Sequence, residues 1–366
     1  MGLSAIDYQH MAQALRLAER GLYTTDPNPR VGCVIVKDGY VVGEGWHMRA
    51  GEAHAEVHAL QQAGAQAQGA TVYVSLEPCC HHGRTPPCSE ALLRAQVARV
   101  VVAMLDPNPL VAGQGIGQLR AAGIQVEVGL LEDQARALNP GFIQRMLSRR
   151  PYVRNKLAMS LDGRTAMADG ESKWITSEAA RADVQRLRAR SSAIMTGVGT
   201  VLADDPALSV RMPGVERQPM RVIIDTHLST PATARLFQEP GQTLILTANA
   251  DESVHAALQR SGAEVVQVAD EGQSIDLRVV LETLAERKVN EVLLETGATL
   301  SGAMLEARLI DELVIYMAPL LMGDAARGLY HLPQLQRMAD RIELQIRDLR
   351  SVGPDLRISA TPIYKA

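Results

Sequence analysis

Cysteine is scarce in this chain, with four among 366 residues, and three of the four fall within EPCCHHGRTPPC, Glu77 to Cys88. So thin and clustered a set argues against a disulfide framework and for a reducing compartment, the cytoplasm. Aromatic residues make up 3% of the chain, so Leu, Val, Ile, Ala and Met must fill the interior. No apolar run approaches the roughly 18 residues of a membrane span. The opening MGLSAIDYQHMAQALRLAERG lacks the basic-then-apolar order of a secretory signal and reads as an amphipathic helix; Gly2 follows Met1, but Ala5-Ile6 matches a myristoylation signal poorly. Long runs of one charge sign are also missing, and the net charge is −4. That balance speaks against nucleic acid or an anionic membrane as a partner.

What is present is a long alternation of helix and strand signals. Hydrophobic residues reach 46%, enough for two sizeable cores, and the length suggests two domains. Before Arg145 the helical signals are Met11–Arg20, AHAEVHALQQAG closed by Gly64, SEALLRAQV with Ser89 as a cap, and GQLRAAG. Between them lie strand signals: VGCVIVKDGYVVGEGWH folded about Asp38-Gly39, then ATVYVSL, RVVVAMLD and IQVEVGL. A second unit follows, with strands AIMTGVG, RVIID, TLILT, EVLLETG and ELVIYMAPLL and helices SEAARADVQRLRAR and LRVVLETLAERK. The boundary is expected near Arg145–Arg150, giving domains 1–147 and 148–366, each an α/β sheet with helices on its faces. DPNP occurs at Asp26 and again at Asp106, as turns rather than as a structural repeat.

The cysteine cluster lies 25 residues beyond His54-Ala55-Glu56. One His and two Cys supply three zinc ligands and leave a fourth position for water, the arrangement of a catalytic rather than a structural site. Zinc lowers the pKa of its water to about 7, and Glu56 is placed to move that proton. His-x-Glu followed by Pro-Cys and a second Cys is the zinc nucleobase-deaminase signature. The usual spacing between the cysteines is two residues; here eight, CHHGRTPP, separate Cys79 from Cys88. Pro78-Cys79 keeps the motif register, with Cys80 as the rival ligand. Cys80, His81 and His82 then fall on the inserted loop, where the histidines either face substrate or are simply solvated. Arg84 either binds a phosphate there or simply sits on the surface. His58, four residues after His54, resembles a peptidase pair, but the Glu is misplaced for that chemistry, so His58 reads as a supporting residue.

Read in order, PNPRVGCVIV, GEAHAEVHAL, SLEPCCHHGRTPPC and DPNP resemble the deaminase domain of the bifunctional deaminase–reductase family of riboflavin biosynthesis, a branch of the cytidine-deaminase-like fold in which the long cysteine spacing is characteristic. The stretches KLAMSLDGRTA, GESKWITS, TGVGTVLADDPALSVR, VIID and LLETGATLSGAMLE resemble that family's reductase domain, similar in fold to dihydrofolate reductase. The resemblance spans nearly the whole chain. It implies a three-layer, cytidine-deaminase-like domain followed by a dihydrofolate-reductase-like α/β domain. The first, with one Zn2+, would hydrolyse the 2-amino group of a small pyrimidine ribotide; the second would reduce its ribosyl group to ribityl with NADPH. A homo-oligomer is also implied. Asn28, in PNP, aligns with a substrate-binding position.

In the second half ETGATLSGAMLE reads as a glycine-flanked helix start, where backbone N–H groups favour an anion. The resemblance assigns NADPH contacts to Gly297, Ala298, Thr299, Leu300, Ser301, Gly302 and Ala303, with Ala158, Trp174, Thr200, Asp204 and Thr226. It assigns substrate contacts to Ser172, Arg188, Leu208, Arg211 and Glu295. Lys156 and Glu295 lie at the ends of candidate strands; Lys156 would hold the ribosyl oxygen and assist proton transfer, the alternative being a salt bridge between the two. Asp162 makes a turn with Gly163. Arginines suit the ribotide phosphate because they bind it bidentately, although Arg188 alone would look like part of a solvated helix face.

Overall fold

The computed structural model describes residues 3–80, 87–109 and 111–364. The chain forms two compact units, Met1–Arg149 and Arg150–Ala366. In the first unit the elements are α1 (Ala5–Glu19), β1 (Gly32–Lys37), β2 (Tyr40–Trp46), α2 (Ala55–Ala63), β3 (Thr71–Val74), α3 (Cys88–Arg94), β4 (Arg99–Val102), α4 (Gln114–Ala121), β5 (Gln125–Val128), α5 (Glu132–Leu138) and α6 (Pro140–Ser148). The sheet runs β2-β1-β3-β4-β5, antiparallel through β3 and parallel from β3 to β5.

Strand side chains alternate in direction, and that period sorts this unit into three layers. Cys33, Ile35, Val72, Val74, Val100 and Val102 pack with Ala55, Ala59 and Ala63 of α2, Leu92 of α3, and Ile116 and Leu119 of α4. The intervening Val34, Val36, Tyr73 and Val101 pack with Met11, Ala14 and Leu15 of α1 and Ala135 of α5. The β1–β2 hairpin turns at Asp38 and Gly39, both at positive φ (49° and 85°), as expected for this pair. Two expectations need correction. α1 begins at Ala5 rather than Met11, because Ser4 and Asp7 cap it reciprocally. Ser89 is not a cap: α3 starts at Cys88 behind Pro87, and the Ser89 hydroxyl donates to Gln118 Oε1 at 2.7 Å instead.

The second unit contains β6 (Tyr152–Ser160), β7 (Arg164–Ala166), α7 (Glu178–Arg190), β8 (Ala193–Gly197), α8 (Val198–Asp204), β9 (Met220–Ile224), β10 (Thr243–Thr247), α9 (Glu252–Arg260), β11 (Ala263–Gln267), α10 (Leu277–Glu286), β12 (Glu291–Leu294), α11 (Ala298–Glu306), β13 (Glu312–Ala318), β14 (Arg327–Gly328), β15 (Glu343–Val352) and β16 (Asp355–Ile363). Its large sheet runs β11-β10-β9-β8-β12-β6-β13-β16-β15. The pairs from β11 through β13 are parallel, and β16 and β15 add antiparallel strands. The chain winds outward from β8 to β11 and returns to lay β12 between β8 and β6, so its direction reverses there. Open parallel sheets bind ligands outside the carboxyl ends of their strands at such a reversal. Lys156 sits mid-strand in the nine-residue β6, not at its end as expected. Because β12 pairs with β6 only as far as Asn155, Lys156 is the first residue beyond its shorter neighbour.

Glycine is required where α2 crosses β2. A Cβ on Gly43 would meet the Ala59 carbonyl oxygen at 2.2 Å, and one on Gly45 the Ala55 carbonyl oxygen at 2.2 Å. Both obstacles are helix backbone, so the helix itself must move. Gly45→Ala is expected to cost about 1–3 kcal/mol in a denaturant titration and to lower zinc content, because α2 carries His54 and Glu56; unchanged stability and metal content would contradict this packing argument.

Candidate functional site

His54 is the N-cap of α2 and Glu56 lies in that helix's first turn. Cys88 opens α3, and its backbone N–H donates to Cys79 Sγ at 3.3 Å. Glu77 shapes the loop that carries Cys79: its buried carboxylate accepts from Asp106 N at 3.2 Å, Gly113 N at 3.0 Å and Ile116 N at 3.3 Å. His54 Nδ1 stands 3.5 Å from Cys79 Sγ and 3.3 Å from Cys88 Sγ. All three ligand atoms lie within 4.8 Å of one another, and among the described residues they form the one group of His, Cys, Asp or Glu able to hold a metal ion. Nitrogen at about 2.0 Å and sulfur at about 2.3 Å from a tetrahedral zinc stand roughly 3.5 Å apart, so the donor set fits zinc in both chemistry and spacing.

The two thiols titrate as a pair, and one of them, Cys79, is already disposed to lose its proton as a zinc ligand must. The Cys88 thiol donates toward Cys79 and, with His54, holds Cys79 well below the ordinary thiol range, while Cys88 is held far above it by that sulfur and by burial. The bond to Cys79 raises His54. Burial, reinforced by the charge on Cys79, pushes Glu56 up to about 7, where a carboxyl can both accept and release a proton near neutrality.

Cys80, the rival ligand, turns away: its Sγ lies 3.9 Å from Gln114 Oε1, outside the cluster. His81, His82 and Arg84 lie outside the described residues. His58 stays out of the cluster, its Nε2 buried with no partner among the described residues. Asn28 does reach this neighbourhood, through His47. The Asn28 amide meets His47 Nε2 at 3.0 Å, and the His47 ring stands edge-on to His54 with centroids 5.3 Å apart. Sequence reasoning passed over His47. A lone His at the end of a strand carries no periodic signal, and only the folded hairpin shows its neighbours.

In the second unit Lys156 and Glu295 form the salt bridge held open as the alternative, and Arg188, predicted separately, joins them in one cluster. Arg188 donates bidentately to Glu295, Nε to Oε1 at 2.6 Å and Nη2 to Oε2 at 2.9 Å, and Lys156 Nζ lies 3.4 Å from Oε2. The third Arg188 nitrogen donates to the Ser209 carbonyl at 3.0 Å. Arg188 is therefore largely buried rather than part of a solvated face. Burial alone would raise Glu295, but Arg188 and Lys156 prevail and bring it down to about 2.

Several of the remaining predicted positions lie at or just past strand ends. Ala158 lies in β6, Thr200 and Asp204 in α8 just past β8, and Thr226 just past β9. Gly297 caps α11 just past β12, and Ala298, Thr299, Leu300, Ser301, Gly302 and Ala303 form its first turns. Gly302 permits close approach, since a Cβ there would meet the His331 carbonyl oxygen at 2.0 Å. Ser172 and Trp174 lie between β7 and α7; Trp174 is exposed, with the Arg181 guanidinium 4.6 Å from its ring centroid. Leu208 buries its side chain in the core at φ 48°, so any contact it makes with a ligand comes from its backbone. Arg211 is exposed, its N–H held by Gln185 Oε1 at 2.9 Å. Asp162 accepts from Gly323 N at 2.8 Å, so it latches a second loop besides making its own turn.

Residues 4–104 match the family model for the cytidine and deoxycytidylate deaminase zinc-binding region, and residues 151–358 match that for the RibD C-terminal domain. Fold and matches together define a two-domain α/β enzyme, a cytidine-deaminase-like zinc domain followed by a reductase domain. The chain is 50% identical over 365 residues to riboflavin biosynthesis protein RibD of Escherichia coli strain K12, covering 96% of this chain and 98% of that one. Its fold superimposes on Acinetobacter baumannii RibD with TM-score 0.91 at 48% identity, covering 98% and 99% of the two chains. A Thermotoga maritima diaminohydroxyphosphoribosylaminopyrimidine deaminase/5-amino-6-(5-phosphoribosylamino)uracil reductase matches with TM-score 0.86 at 31% identity, again covering 98% and 99%. The chain belongs to the RibD family: it is a bifunctional deaminase and reductase of riboflavin biosynthesis.

Glu295 gives this second site an acid limit. Its folded pKa is depressed, so its contribution to stability is present above its ordinary value of 4.5 and is lost as pH falls toward about 2. Glu295→Gln leaves two cations without their partner and is expected to cost about 3 kcal/mol at neutral pH. The same substitution should remove this part of the acid sensitivity, as read from urea midpoints between pH 7 and pH 2.

Proposed function

We propose that the N-terminal unit, 1–147, hydrolyses 2,5-diamino-6-(5-phosphoribosylamino)pyrimidin-4(3H)-one to 5-amino-6-(5-phosphoribosylamino)uracil. The C-terminal unit, 148–366, then reduces that product with NADPH to 5-amino-6-(5-phosphoribitylamino)uracil. The observation that carries this reading is the convergence of His54, Cys79 and Cys88 beside the buried Glu56. His54, Cys79 and Cys88 would hold the zinc. Zinc, when bound, supplies the acidification that makes water a nucleophile at neutral pH. Glu56 takes a proton from the attacking water and delivers it to the ring nitrogen; it then takes the second proton from the hydroxyl now on that carbon and passes it to the amino group, which leaves as ammonia as the carbonyl forms and the carbon–nitrogen bond breaks. Asn28, with His81 and Arg84 of the inserted loop, binds the ribotide.

In the reductase half the loop and first turns of α11 hold the nucleotide phosphates at the helix N-terminus, with Ala158, Trp174, Thr200, Asp204 and Thr226 lining the rest of that site. NADPH, when bound, supplies the hydride. Lys156 holds the ribosyl oxygen and assists proton transfer at the carbon being reduced. Ser172, Leu208, Arg211 and Glu295 receive the ribotide, and Arg188 reaches its phosphate only by exchanging a carboxylate partner for it.

The test is NADPH oxidation by zinc-loaded enzyme given the undeaminated ribotide. Glu56→Gln should abolish it, by at least about 100-fold, while keeping zinc, and the deaminated ribotide should restore it. Cys79→Ala should lose zinc and Cys80→Ala keep it. No oxidation by wild type with either ribotide would overturn the reductase assignment.

Two further features belong to this reading. Four free cysteines, two of them in the zinc set, support the reducing cytoplasm as the compartment; among the described residues no helix is long and apolar enough to cross a membrane. The chain works as a homo-oligomer, with the β15 edge as its contact. β15 is exposed along nearly its whole length, and the register shift between Ile346 and Asp348 keeps Leu344, Ile346 and Leu349 on one face, opposite Pro362, Ala360 and Ile358. An apolar edge of this kind invites pairing with a second copy. Sedimentation of wild type and Ile346→Lys decides it: the variant should sediment as a smaller species, and a monomeric wild type would refute the pairing.

A further inference from the structure

His47 is buried, and each of its ring nitrogens has a defined neighbour. Nδ1 lies 3.1 Å from the Ala53 carbonyl oxygen, and Nε2 lies 3.0 Å from Asn28 Nδ2. Its backbone N–H donates to the Val31 carbonyl at 2.9 Å, so the residue is tied from both sides. A carbonyl oxygen can only accept, so Nδ1 carries a proton. The Asn28 group facing Nε2 is the amide nitrogen, which can only donate, so Nε2 is the bare acceptor of a neutral imidazole. A planar amide that spends its nitrogen on His47 turns its oxygen away from it. The His47 ring stands edge-on to His54, so the residue that orders this amide also touches a metal ligand.

We propose that His47 is a positioning residue for the deaminase: locked as the Nδ1–H tautomer by Ala53, it fixes the Asn28 amide with Oδ1 as an acceptor. The site thereby selects a pyrimidine edge that carries N–H groups. This rests on the reading above that Asn28 meets the ribotide. The chain from Ala53 through His47 to Asn28 also begins one residue before the ligand His54, so acceptor and metal site share a single backbone anchor.

The test uses zinc-loaded full-length enzyme. Long-range proton–nitrogen correlation on histidine-labelled protein, with His47 identified by its loss in His47→Gln, should show a protonated Nδ1 and a bare Nε2; an Nε2–H tautomer overturns the proposal. By ammonia release, Asn28→Ala should raise KM about three- to tenfold with zinc retained. His47→Leu should match it, and His47→Gln should recover most of the loss, since its Oε1 can accept from Asn28. The double variant Asn28→Ala/His47→Leu should be no worse than Asn28→Ala alone. Additive losses, or an unchanged KM in His47→Leu beside a raised one in Asn28→Ala, also overturn the proposal. An unchanged KM in Asn28→Ala with the tautomer as stated would instead refute Asn28 as a substrate contact, and edge selection with it.

Discussion

The close crossing of α2 over β2 is the constraint on which the deaminase half depends. Glycine at 43 and 45 lets helix backbone approach strand backbone more closely than any Cβ allows. That approach places the start of α2 over the sheet, with His54 as its cap and Glu56 in its first turn. Only then can two sulfurs from a distant loop and helix reach the same point. A residue larger than glycine would lift the helix, and with it the nitrogen and the carboxylate that the chemistry needs.

The reductase half solves a comparable problem with charge. Three long side chains from β6, α7 and the end of β12 meet in a cluster centred on Glu295. Burial works against the charge on a carboxylate, but two cations outweigh it, so Glu295 stays ionised and one positive charge remains over. That excess, at the reversal point of the parallel sheet, suits an anionic ribotide. The same cluster explains how Arg188 in an arginine-rich helix becomes one of the chain's buried cations.

Much of the fold was legible because both sheets obey simple periods. VGCVIV and ATVYV alternate between two cores, and Asp38-Gly39 could hardly be other than a hairpin turn. The failures have physical causes. Ser89 looked like a cap because a hydroxyl ahead of an apolar run usually is one, but Pro87 had already started the helix. β15 escaped notice because nearly all of it is exposed, and without a buried face there is no alternation to read. Lys156 was misplaced because strand length, unlike strand type, depends on neighbours.

By itself the sequence determined the chemistry available: His-x-Glu with Pro-Cys and a second Cys, a pair of α/β units, and the stretches that mark the RibD family. These depend on residue type and spacing, which a linear text records. The Pro78-Cys79 register favoured Cys79 over Cys80, and the tertiary structure decided between them, because which of two adjacent thiols faces His54 is a matter of loop direction. The tertiary structure alone joined Arg188 to Glu295 across 107 positions and set His47 between Ala53 and Asn28. Hydrogen bonds between segments far apart in sequence leave no local period, so the arrangement that makes a site from these residues exists only once the chain has folded.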